Sequence, residues 1–288
     1  MSDPLSGFFR GVSLIRASFS VLMSDKELLV LPLISAVASL IVGAGFVWPL
    51  IGNPTFMALG EQENPMLPAW FYAWLFVFYF VQYFVVIFFN TALVGAAIAR
   101  LSGGDPTVSS ALGLAVVRIG PIIGYALISA TVGVALRWIG EKLGFIGRII
   151  EGTLGLAWTV ATFLVVPVLA AEGIGPIKAI ERSGALLSET WGENIIGNAG
   201  IAAVTGLISV VFILGLASGA YSAADGNEWG YAVAGFSAVA LVAIFLVSAT
   251  LSGIYAAAVY YFALTGNPPR GFDAGLIKGA FTRKEASA

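Results

Sequence analysis

Long apolar runs separated by short clusters of charge dominate the chain. Glu27 to Glu61, Glu63 to Arg100, Arg118 to Arg137, Glu151 to Glu172, Glu193 to Asp225 and Glu228 to Arg270 each bound an uncharged interval of full or nearly full span length. A central Asp, Lys or Arg costs a membrane helix about 2.5–3.5 kcal/mol, and about 20 apolar residues cross the hydrocarbon, so each interval predicts one span. The runs lack the two-residue alternation of a barrel wall, and a backbone in lipid must satisfy its own hydrogen bonds, so helices are predicted. The expected fold is all-α, a polytopic transmembrane helix bundle with six spans and amphipathic interfacial helices. The spans are expected at about 28–50, 69–99, 119–136, 152–171, 195–217 and 231–263, with residues 1–288 forming one integral membrane domain. The third interval is the shortest and starts beside Pro121. It either tilts, enters partway, or gains length by snorkelling of Arg118 and Arg137.

Between the spans the pattern turns amphipathic. Segment 5–23 sets Arg10 and Arg16 among Phe8, Phe9, Leu14, Ile15 and Phe19, which suits either a helix in the headgroup plane or one packed on the bundle. The charges before residue 28 argue against a cleavable leader, so the first span is expected to be retained. Short amphipathic helices are predicted before span 3 and before span 5, with Pro106 and Pro176 in their first turns, and in the tail. Lys and Arg concentrate at the N-terminus (Arg10, Arg16, Lys26), in loop 2/3 (Arg100, Arg118), in loop 4/5 (Lys178, Arg182) and in the tail (Arg270, Lys278, Arg283, Lys284). The positive-inside bias then puts both termini in the cytoplasm of a cell (inner) membrane protein. Loop 3/4 is the exception, with Arg137, Lys142 and Arg148 on the outer side. Its Arg137/Glu141 and Arg148/Glu151 spacings predict a short outer-surface helix, with a half-inserted third and fourth pair as the rival reading.

Composition narrows the chemistry. Hydrophobic residues make up 59% of the chain and charged ones 10%, against about 25% charged in a soluble domain. A net charge of −2 gives no cationic excess for nucleic acid. With no His and no Cys, imidazole or thiolate metal sites, His or Cys haem ligation and Ser-His-Asp or Cys-His relays are excluded. Neither a phosphate-cradling GxxxxGK[ST] loop nor a dinucleotide fingerprint is present, and no carboxylate is predicted in mid-span. No cofactor and no metal are expected, and the chain is not expected to be an enzyme.

Polar and small residues inside the spans are the informative minority. Small residues recur at i,i+4 spacing in Ser35/Ser39/Gly43, Gly120/Gly124, Gly215/Gly219 and Ala249/Gly253/Ala257, predicting close helix approach. Trp48, Trp70 and Trp229 at the outer ends, and Trp191, Tyr260 and Tyr261 at the inner ends, fit aromatic belts. Gln82 and Asn90 lie two turns apart in span 2 near Tyr79 and Tyr83. They are either interhelical hydrogen-bonding groups or, with Arg118, a polar pathway. Glu172 ends span 4, where its charge opposes the helix dipole and calls for a cation. Arg182 or Lys178 on the next helix is that cation, forming a cytoplasmic ion-pair clamp that is either architectural or a gate.

The run of Pro167, Glu172-Gly173, Pro176, Ala179, Arg182-Ser183, Leu187 and Trp191 resembles a motif in the membrane domains attached to some bacterial glycerophosphodiester phosphodiesterases. The catalytic barrel is missing, so that chemistry does not transfer. The whole chain, including RASFSVLMSDKELLVLPLISA and NTALVGAAIARLSGGDPTV, is similar to an uncharacterised prokaryotic six-span family, and its first fifth resembles the CysZ sulfate permeases. Three functions are left open. One is a non-catalytic scaffold or lipid-organising protein, with the bilayer, a protein at the cytoplasmic amphipathic helices, or a second copy as partner. Another is a passive channel or permease for a small solute or anion. An intramembrane enzyme would need a cluster drawn from Glu172, Glu189 and Glu193.

Overall fold

A computed structural model describes residues 15–51, 53, 69–189 and 194–272. Its helices are α1 (Ile15–Ser24), α2 (Val30–Val47), α3 (Ala69–Leu101), α4 (Val108–Val117), α5 (Ile119–Lys142), α6 (Gly144–Ala161), α7 (Val165–Ala171), α8 (Pro176–Glu189), α9 (Asn194–Ala224) and α10 (Glu228–Thr265). A short 3₁₀ turn, Lys26–Leu29, leads into α2. Among the described residues there is no strand, and the protein is all-α. Among the described residues, six segments are long and apolar enough to cross a membrane: Lys26–Leu50, Trp70–Leu101, Ile119–Gly140, Ile146–Ala171, Val204–Ala224 and Glu228–Thr265.

The chain divides into two compact units, one of residues 1–32, 96–107 and 186–288, the other of residues 33–95 and 108–185. In the second unit, α2 meets α3 through Phe46, whose ring centroid lies 5.0 Å from Trp74 and 5.4 Å from Phe78. Such tilted aromatic pairs add about 0.5–1.5 kcal/mol beyond the area they cover. Small residues set the other close approaches. A methyl at Gly124 would come within 2.8 Å of Pro176 Cγ, and one at Gly133 within 3.3 Å of the Tyr83 hydroxyl.

The fourth span is interrupted between α6 and α7 at Thr162–Leu164. Pro167 supplies a cause: without an N–H it cannot bond the carbonyl four residues back, and its ring crowds that carbonyl. The freed groups are taken up from α8. Ser183 Oγ donates to Ala161 O at 2.8 Å and accepts from Leu164 N at 3.1 Å. Irregular backbone at membrane depth is tolerated where protein covers it, and Ser183 and Leu164 are both fully buried. α8 buries one stripe, Ala179, Ser183, Leu186 and Leu187, and exposes Ile177, Lys178 and Glu181.

In the first unit, α9 and α10 form an antiparallel hairpin. Asn227 caps α10 by accepting from Trp229 N at 3.1 Å, and α10 ends at Gly266, whose N–H donates to Phe262 O at 2.8 Å. A methyl at Gly219 would reach Ala234 N at 2.6 Å, and one at Gly215 would reach Ser237 Oγ at 2.6 Å. The backbones therefore approach on their small-residue ridges, as small-xxx-small packing requires. Outward, Leu207, Val211, Leu214, Phe236, Val239 and Phe245 stand exposed, the surface a lipid-facing hairpin presents.

Several sequence expectations change. Loop 3/4 holds no separate surface helix: α5 runs through Lys142, and after Leu143 α6 begins at Gly144. Arg137, Lys142 and Arg148 therefore ride on the ends of two long helices, where charge is tolerated. The Glu141 side chain lies outside the described residues, as do Trp191 and the tail helix. Pro106 precedes α4 instead of lying in its first turn, whereas Pro176 does open α8. Tyr260 is 2% exposed and belongs to the core of its unit, not to an aromatic belt.

Candidate functional site

Gln82 sits near the middle of α3. Its Nε2 donates to Ser39 O of α2 at 3.0 Å, and a methyl at Gly43 would come within 3.7 Å of the same nitrogen. The amide thus bonds a neighbouring helix across the small-residue ridge. Asn90 is half-buried further along α3 and is not joined to Gln82 by a hydrogen bond. Tyr79 accepts from Arg137 Nη1 at 2.9 Å through its hydroxyl.

Arg118 lies between α4 and α5. Its Nε and Nη2 reach the carbonyls of Ala170 and Ala171 at 3.5 Å, at the C-terminal end of α7 where unpaired carbonyls and the helix dipole favour a cation. Gly173 makes the following turn with φ +64°, and a methyl there would collide with the Arg118 guanidinium. Glycine is needed at this position both for the left-handed backbone and for the space. Beside it, Arg182 Nε donates to Glu172 Oε1 at 3.3 Å, with both side chains partly exposed, while Lys178 is exposed on the same helix. The structure therefore brings Arg118 together with the Glu172–Arg182 pair around the α7–α8 turn and leaves Gln82 in a different contact.

A second constellation lies in the first unit. A pocket of about 410 Å³ is lined by Ser20, Val21, Ser24, Arg100, Gly103 and Arg270, among others. Arg100 Nη1 bonds Asp105 Oδ1 at 2.8 Å and the Gly104 carbonyl at 3.4 Å, and its Nη2 bonds Ser24 O at 3.1 Å. Arg270 is tied by its backbone N–H to Leu101 O at 3.4 Å. Its guanidinium lies on Gly103, where a methyl would collide with it and where φ is +95°. Next to this pocket Asp25 is 8% exposed, and its Oδ2 is buried without a hydrogen bond. Burial pushes the Asp25 carboxyl above the usual carboxylate range; the Arg100 guanidinium and the Glu27 backbone N–H oppose that rise.

Sequence reasoning counted Arg100 and Arg270 only as loop charges and did not single out Asp25, Gly103 or the bridging role of Ser183. The signals were present: a carboxylate directly before a span, an Arg three residues before a Gly-Gly-Asp turn, and a proline inside a predicted span. A further pocket of about 350 Å³ lies against Arg137, Gly140, Arg148 and Glu151 in the second unit. Among the described residues no group of three or more Asp or Glu side chains is placed to hold a metal.

No curated protein matches the chain. The likeness to phosphodiesterase-linked membrane domains and to sulfate permeases rests on the sequence motifs alone. A family of unknown function, DUF6159, matches residues 69–271, from the start of α3 to the turn that carries Arg270. That stretch is well over half of the chain and includes the broken span, the α7–α8 turn and both pocket arginines, and the protein belongs to this family.

Proposed function

We propose that the protein is a non-catalytic organiser of lipid or of partner proteins in the cell (inner) membrane, with both termini in the cytoplasm. The observation that carries this reading is the bond from Gln82 to Ser39 O at 3.0 Å. Gln82 lies within Trp70–Leu101, half of whose window is buried, the largest share of any of the candidate spans. At that position a pathway for solute would need the amide free for water. Ser183 and Arg118 support the same reading, because each satisfies backbone groups of the broken span. Orientation follows from the distribution of Lys and Arg, and the exposed face of α8 offers a docking surface for a partner or a second copy.

A passive permease for a small solute or anion is the second reading, and the half-buried amide of Asn90 favours it. The faint likeness to sulfate permeases points the same way. Flux of sulfate, phosphate and glycerol through proteoliposomes tests the choice. Flux at the level of empty vesicles is the expected result; flux that disappears with Asn90→Leu would replace the organiser with a permease.

A further inference from the structure

We propose that the pocket between α1, the C-terminal end of α3 and the Arg270 turn binds the phosphate ester of an anionic lipid headgroup, held between the Arg100 and Arg270 guanidinium groups. The inference rests on the lipid-organising reading and names the ligand of that surface. Position is the first argument. Ser24 and Asp25 directly precede the span beginning at Lys26, Arg100 and Leu101 close the span from Trp70, and Arg270 follows the span ending at Thr265. A pocket shared by three span ends lies at the level of the bilayer surface, where lipid phosphates are found.

Hydrogen-bonding capacity is the second argument. The bonds from Arg100 to Asp105, Gly104 O and Ser24 O fix the plane of its guanidinium and leave Nε–H and one Nη2–H over. A cation already held by three bonds loses little freedom when an anion binds. No hydrogen bond within the described structure engages the Arg270 guanidinium, whose packing is against the Cα of Gly103. Two forked donors on one pocket suit the several oxygens of a phosphate better than a point charge does.

Size and lining are the third. A volume of about 410 Å³ is enough for a phosphate with its glycerol. Val21 and Leu101 line the same pocket, giving the stems of acyl chains an apolar neighbour that a free phosphate would not use. The acids nearby are Asp105, which is 92% exposed and free to yield Arg100 to a better acceptor, and Asp25. Asp105 stands in solvent, which screens its charge, whereas both guanidinium groups line the pocket, so an anionic headgroup is favoured over a zwitterionic one that carries the same phosphate.

The test uses the full-length protein in neutral detergent, with lipid adducts counted by native mass spectrometry. Phosphatidylglycerol and phosphatidylcholine are supplied at equal concentration, with and without equimolar inorganic phosphate. The wild type is expected to retain phosphatidylglycerol about tenfold over phosphatidylcholine, and Arg270→Gln to bring that ratio close to one. Arg270→Gln keeps the backbone bond to Leu101 O and breaks no side-chain hydrogen bond, so folding is preserved; Arg100→Lys/Arg270→Lys is expected to give an intermediate ratio. An unchanged preference in Arg270→Gln overturns the site. Displacement of the lipid by equimolar inorganic phosphate overturns the lipid headgroup as its source. Either failure leaves the vesicle-flux result untouched, so the ligand and the organiser reading fall separately.

Discussion

Ser183→Ala removes one oxygen from a fully buried position and strands two backbone groups. In the native protein that oxygen donates to Ala161 O and accepts from Leu164 N, at 2.8 and 3.1 Å, across the break that Pro167 imposes on the fourth span. Leu164 is itself 0% exposed, so water cannot take over its N–H. A stranded buried group costs about 1–3 kcal/mol in soluble proteins, and single hydrogen bonds in membrane proteins average about 0.6 kcal/mol because the unfolded chain in lipid finds other partners. With a donor and an acceptor both affected, the expected loss is about 1.5–3 kcal/mol. Equilibrium unfolding in mixed micelles, followed by circular dichroism, measures it. Ser209→Ala is the control, since Ser209 Oγ bonds Thr205 O of its own helix at 2.7 Å, a carbonyl that the helix already serves; its effect is expected to stay within about 0.5 kcal/mol. A Ser183→Ala midpoint equal to that of Ser209→Ala would refute the idea that α8 holds the broken span together.

Asp25→Asn is expected to raise stability at pH 7. Because burial lifts the Asp25 carboxyl, the folded state holds its proton more tightly than the unfolded chain. The favourable contribution is therefore present below the unfolded carboxylate pKa, about 3.9, and is lost as pH rises through the folded value. Melting temperatures of wild type and Asp25→Asn, compared from pH 3.5 to 8, are expected to diverge upward in favour of the variant; a variant less stable at pH 7 would mean that Arg100 more than repays the burial. Gly173→Ala is expected to destabilise by about 1–3 kcal/mol, through its left-handed backbone and its collision with Arg118. Combined with Arg118→Ala, the steric part should vanish, so a double-mutant cycle by thermal unfolding that shows strict additivity would rule out the contact.

The helices were legible because ionisable residues cannot enter hydrocarbon cheaply, and their limits follow from the same rule. The first span, bounded by Glu27, is expected at 28–50, and the apolar helical segment there runs Lys26–Leu50. The fifth is expected at 195–217, and α9, Asn194–Ala224, contains that stretch and runs on to Ala224, because no charge between Glu193 and Asp225 ends the apolar run earlier. The helices of spans 3 and 4 run past the expected 119–136 and 152–171, since they carry charges such as Arg137 and Arg148 on their projecting ends. Within the site, Glu172 and Arg182 could be named from the helix-dipole argument, and their side chains lie 3.3 Å apart. The Arg100–Arg270 pocket could not, because it depends on residues from three distant parts of the chain meeting in space. The partner of Gln82 was likewise hidden: a backbone carbonyl has no signature in the sequence.

The crossing pattern itself is open to one direct measurement. The chain contains no cysteine, so Ser2→Cys, Asp225→Cys and Ser287→Cys each supply a unique thiol. Labelling with a membrane-impermeant maleimide is predicted to reach residue 225 in intact cells, and residues 2 and 287 only after permeabilisation. Labelling of residues 2 and 287 from opposite sides of the membrane would contradict the six-span account.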